Sequence, residues 1–117
     1  MNIKYNAVNI SITVGNTVTS PAVNLREGMC IGVAFFPFAA TLPEQNINIG
    51  VQTPQGTDLI ESVDVRDYLK GNSEHLKSYK QVQFKSKGDI NVNVSTPVPI
   101  AGSDFTGQLV FAIVIEE

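Results

Sequence analysis

Apolar and polar residues alternate along most of this chain with a period of two, the pattern of extended strands that bury one face. Over residues 7–14, Val8, Ile10, Ile12 and Val14 share one face, while Asn9, Ser11 and Thr13 take the other. The alternation returns at 46–53, with Ile47, Ile49 and Val51 directed inward, and at 90–96, where Ile90, Val92 and Val94 stand opposite Asn91, Asn93 and Ser95. Val82 and Phe84 mark a further strand over 79–86, and 57–65 places Leu59, Val63 and Val65 on one face with Glu61 as a misfit. Residues 17–25 are extended as well, but Pro21 lacks an N–H and confines them to an edge, a bulge or an interruption.

Two segments differ in kind. Within 29–38, Ile31, Val33, Ala34, Phe35, Phe36 and Phe38 put apolar groups on both faces of a strand, and Leu109 to Ile115 is apolar throughout. Strands of that composition are covered on both sides. Turn signals separate the segments: Gly15-Asn16, Arg26-Glu27-Gly28, Pro54-Gln55-Gly56, and Lys87-Gly88-Asp89, which reads as a tight hairpin. Between 64 and 80 the period of two fades. Val65, Tyr68 and Leu69 lie at helical spacing and predict a short helical turn, with a second turn able to start at Ser73. The sum is about eight strands at intervals near ten residues, with at most one or two short helical turns near 64–80. It predicts an all-β fold, an antiparallel β-sandwich of jelly-roll type, in a single domain over 1–117. An immunoglobulin-like sandwich is the alternative, although the chain has no Trp and no second Cys to form that core.

With 117 residues, 43 % of them hydrophobic and 16 % charged, the chain has enough apolar content for one core. A net charge of −3 removes the general attraction to phosphate backbones, so nucleic acid is not an expected partner. Cys30 is the one cysteine; it stands in an apolar run and reads as a small buried hydrophobe. No basic region followed by an apolar stretch opens the sequence, and no run reaches the roughly 18 apolar residues that cross a bilayer. Synthesis in a cytoplasm without a signal peptide, and no membrane partner, are the expectations.

The residues that carry chemistry occur singly. His75 is the only histidine, so sites built on several imidazoles cannot form within one chain, and it lies in the polar stretch 71–75 away from any nucleophile turn. Asp58, Glu61, Asp64 and Asp67 form the densest acidic group, yet on a strand their spacing scatters them over two faces instead of converging on a cation. No glycine-rich phosphate loop is present. These observations predict a protein that is not an enzyme and needs no cofactor and no metal.

What remains is surface. Lys70, Lys77, Lys80, Lys85 and Lys87 make a basic stretch in an acidic chain, either an orienting contact or the lysines that keep a strand edge unpaired. Asn9, Ser11, Thr13, Asn46, Asn48, Asn91, Asn93 and Ser95 would carpet one sheet face with amides and hydroxyls. The two doubly apolar strands need cover, from a sister subunit or from loops 39–45 and 97–104 folding back. The candidate interface is therefore Phe35, Phe36, Phe38, Val110, Phe111 and Ile113, flanked by Lys77, Lys80, Lys85 and Lys87.

Eight short strands, Asn- and Thr-rich polar faces, a start without a leader and a lone unpaired cysteine resemble the small jelly-roll virion proteins of bacterial viruses. The resemblance spans the whole chain as a style and includes no motif. It implies a capsid, vertex, decoration or spike subunit of a virion, which acts by homo-oligomeric self-assembly and by contacts with other virion proteins. It assigns no functional residue. The rival reading is a carbohydrate- or receptor-binding β-sandwich module that uses the Asn/Ser/Thr face, for which the partner is a glycan.

Overall fold

The computed structural model describes residues 2–38, 45–69 and 79–115. Seven strands follow in order: β1 (Asn2–Ile12), β2 (Val18–Thr19), β3 (Ala22–Pro37), β4 (Asn48–Gln52), β5 (Asp58–Asp64), β6 (Lys80–Ser95) and β7 (Phe105–Ile115). A 3-10 helical turn, Val65–Tyr68, follows β5. The fold is all-β, and every pairing between strands is antiparallel.

Hydrogen bonding links the strands along the path β1-β7-β3-β6-β4-β5, with β2 also beside β6. The two 16-residue strands, β3 and β6, serve two layers each. Their shared register slips between Leu25 and Gly28, opposite Gly88 and Ser86, and there the ladder bends. The bend demands glycine. A Cβ on Gly28 would lie 2.8 Å from Cγ2 of Ile113 and closer still to the Val114 carbonyl, while Gly88 has φ +76°. Split at this corner, the first array holds β1, β7, residues 28–37 and residues 80–86. The second holds β2 with residues 22–25, residues 90–95, β4 and β5. This sandwich-like order of eight segments is the jelly-roll pattern.

One buried cluster joins the arrays, with Ile10, Ile12, Phe105, Leu109 and Phe111 from the first and Ile49, Val51, Ile60, Val92 and Val94 from the second. The shortest dimension, 18 Å, has room for two sheets stacked about 10 Å apart and not for a third. The 3-10 turn closes the end of the sandwich. The buried Tyr68 hydroxyl donates to the Ile49 carbonyl at 2.9 Å, and Leu69 forms a parallel bridge with Phe35. Each fully buried aromatic or branched side chain in this cluster contributes about 1.5–3 kcal/mol relative to exposure.

The structure corrects four readings of local pattern. Lys87-Gly88-Asp89 is not a hairpin, because residues 80–86 and 89–91 pair with the same strand, β3, and the chain runs on from one layer to the other. Gly88 supplies a bend where a reversal was read. In β5 the buried residue is Ile60, since the register against β4 slips between Ile49/Val63 and Val51/Ile60 and this bulge leaves Glu61 and Ser62 exposed. Glu61 is a misfit only if the strand is regular. β1 begins at Asn2, five residues before the start of the segment read from alternation. Val14 faces out, 50 % exposed, because the chain leaves β1 at Ile12 and turns so that Gly15 N–H donates to the Ile100 carbonyl at 2.9 Å. Of the helical turns, 65–68 is present as a 3-10 turn; the one placed at Ser73 lies outside the described residues.

Candidate functional site

The register fixes which side chains leave the core. In β1 and β7, Val8, Ile10 and Ile12 share the inner face with Leu109, Phe111 and Ile113, so Ile3, Tyr5 and Ala7 share the outer face with Val114, Ala112 and Val110. Across β3 that outer face continues with Gly32, Ala34, Phe36 and Phe38. The outside of the first array is thus apolar over three adjacent strands.

Three rings gather on it. Tyr79 lies with its centroid 6.3 Å from that of Tyr5 and 6.2 Å from that of Phe36, the latter pair edge-on. Glycine makes this possible: a Cβ on Gly32 would sit 3.1 Å from Cβ of Tyr79. Tyr5, Ala112 and Gly32 align across β1, β7 and β3, so the rings of Tyr5 and Tyr79 meet above small residues. Ala34 and Ala112 are fully buried here, while Tyr5 is 50 % and Phe38 63 % exposed. Burial, and secondarily the neighbouring Tyr5 phenol, raises the pKa of Tyr79.

The structure divides the residues of the candidate interface. Phe35, Phe111 and Ile113 belong to the internal core, and the Phe35 ring stacks on Phe105 at 5.4 Å. Phe36, Phe38 and Val110 face outward on the aromatic surface. Lys80 bonds Asp67 and stands 5.6 Å from the centre of the Tyr68 ring, a structural placement. Lys85 and Lys87 are exposed and flank a groove of about 640 Å³ at the corner of β3 and β6, with Met29 and Val114 among its apolar lining. Lys87 also lies 3.9 Å from Glu27, an exposed pair that contributes little. Lys70, Lys77 and His75 lie outside the described residues.

The polar row is shared between two faces. Asn9 lies outside the first array, where it accepts from Gln108 at 3.2 Å, whereas Asn48, Asn91, Asn93 and Ser95 lie outside the second. There a chain of bonds runs from the break between β2 and β3 across three strands: Ser20 donates to Asn93 (3.1 Å), Asn93 to Gln52 (2.7 Å) and Gln52 to Asp58 (2.8 Å). The carboxylates are also dispersed. Asp64 accepts from Arg66 and from the Ile47 N–H, Asp67 from Lys80, and Asp58 from Gln52. Among the described residues no three His, Cys, Asp or Glu side chains are grouped to hold a metal ion. Cys30 is buried, and that burial, only partly offset by a backbone hydrogen bond at Gly32, pushes its thiol up to about 12.

Sequence reasoning missed Tyr5 and Tyr79. The signal was present for Tyr5, since Ile3, Tyr5 and Ala7 alternate with Lys4 and Asn6 and extend the strand toward its start. Tyr79 gave none, because its ring reaches across the sheet to a glycine 47 positions earlier in the chain. No protein-family model matches the chain, and no curated protein matches it in sequence.

Proposed function

We propose that this chain is a virion structural protein, a capsid, vertex, decoration or spike subunit of a bacterial virus that works by self-assembly and contact with other virion proteins. The observation that carries the reading is the aromatic outer face of the first array, where Tyr5, Phe36, Phe38 and Tyr79 surround a floor of small apolar residues. Aromatic anchors over a shallow apolar floor are what protein interfaces enrich, and the uncharged centre suits a buried contact. The jelly-roll order supports the virion assignment by analogy of fold, since capsid and lectin domains both use it.

The test is sedimentation velocity on the wild type and on Phe38→Asp. Phe38 is exposed, so the substitution spares the core, whereas an aspartate at Phe111 would only unfold the chain. The reading expects a defined oligomer that Phe38→Asp dissociates at unchanged thermal stability. Assembly unaffected by Phe38→Asp, Tyr5→Asp and Phe36→Asp would remove this face from the proposal.

A glycan-binding module is the second reading, favoured by the Ser20–Asn93–Gln52–Asp58 chain outside the second array. Those amides bond one another, which leaves them fewer donors and acceptors for a sugar. Glycan-array binding abolished by Asn93→Ala, from a protein monomeric at all concentrations, would favour it over assembly.

A further inference from the structure

We infer that the free edge of β1 docks a second copy of this chain, the two β1 strands pairing antiparallel about a two-fold axis. This rests on the self-assembly reading and names its first contact.

Each array has two strand edges, and three of the four carry the features that discourage pairing. β5 is seven residues long, bears Asp58, Glu61 and Asp64, and slips register against β4 twice. On the other side of that array β2 is two residues long and Ser20-Pro21 interrupts the edge before β3 resumes. The edge formed by residues 80–86 of β6 carries Lys80 and Lys85, with Lys87 just beyond. β1 has the fewest of these defences. It runs 11 residues without proline, its register against β7 is unbroken from Asn2↔Ile115 to Ile12↔Phe105, and Lys4 is its one charge. Among the described residues it pairs with β7 alone, and Tyr5, Ala7, Asn9 and Ser11 are exposed along it.

Symmetry and charge select a second copy as occupant. An antiparallel ladder about a two-fold axis is self-complementary, so the outward N–H and C=O groups of one β1 meet the same groups of the other. With the axis at Ala7, Tyr5 stands opposite Asn9 and Ile3 opposite Ser11. The two Lys4 side chains are then about 20 Å apart along the ladder, beyond the screening length at physiological salt. To a foreign peptide β1 offers no charge beyond Lys4 to select it. Pairing also joins the aromatic faces of the two copies, because Tyr5 belongs to both edge and face.

Cross-linking tests this directly. Tyr5→Cys, Ala7→Cys and Asn9→Cys are treated with a short bismaleimide in native buffer, with Glu61→Cys on β5 as the control; the native thiol of Cys30 is buried and does not compete. The expected result is covalent dimer from at least one β1 variant, at tenfold or more the yield from Glu61→Cys. Ala7→Lys is expected to reduce the non-covalent dimer by a similar factor with an unchanged circular dichroism spectrum. An oligomer by light scattering with β1 yields no higher than the control overturns the β1 edge and leaves self-assembly standing. A wild type that stays monomeric over the concentration series overturns both.

Discussion

At the residue scale, one methyl group separates two different outcomes in this sheet. A Cβ on Gly107 would enter the ring of Phe35 and lie 2.9 Å from the Phe36 carbonyl, so that the ring could no longer rest on the β7 backbone beside Phe105. Gly107→Ala should therefore cost about 2–3 kcal/mol in urea unfolding. Gly88 has φ +76° but nothing within 4 Å of a Cβ, and Gly88→Ala should cost only about 1 kcal/mol of backbone strain. Equal losses at the two positions would mean that close packing over Gly107 is not what requires glycine there. Cys30 makes a second prediction. Buried, with its thiol raised to about 12, it should react with alkylating reagents only as fast as the protein opens. Its proton leaves the unfolded chain near pH 9 and the folded chain near 12, so its contribution to stability is complete below 9 and is lost as pH rises through that window.

At the scale of elements, the 3-10 turn shows how little sequence anchors a closure. Asp64 precedes it and accepts from the Arg66 N–H at 2.9 Å, while the Arg66 guanidinium and the Ile47 N–H also reach its carboxylate. Partial burial alone would raise its pKa, but these donors outweigh it and hold the carboxyl below its usual value. A lowered pKa stabilises the fold above the unfolded value and is lost as pH falls through the folded one, so this contribution should begin to fade below about pH 4. Asp64→Ala should cost about 1 kcal/mol at pH 7 and progressively less as pH falls below about 4, measured by denaturant unfolding across that range.

What alternation could and could not disclose follows the same lines. Ile47, Ile49, Val51, Ile90, Val92 and Val94 obey a strict period of two and are all buried. The reading failed where a bulge adds a residue, as at Glu61 and Ser62, and where one strand serves two layers, as at Gly88. A bend and a hairpin use the same turn residues; only the identity of the partner strand distinguishes them, and that is a non-local fact. The candidate surface was partly legible for a similar reason. Apolar residues on both faces of 29–38 and 109–115 announced a covered outer face, but which half lay inside depended on register.

At the scale of the molecule, the two arrays present opposite outsides. One is aromatic, floored by Gly32, Ala34 and Ala112 and bordered by the least defended edge, β1; the other is a lattice of amides and carboxylates. A −3 chain with this asymmetry should associate through the aromatic side and keep the amide side in water. Because the contact is apolar, raising salt from 50 to 500 mM should leave the association intact or strengthen it, as read by sedimentation at each salt concentration. The most direct test is the solution mass of the wild type by static light scattering over a concentration series. Assembly predicts a mass that rises with concentration to a fixed, closed multiple of 12.6 kDa. A mass that stays at 12.6 kDa to the highest concentration would contradict it.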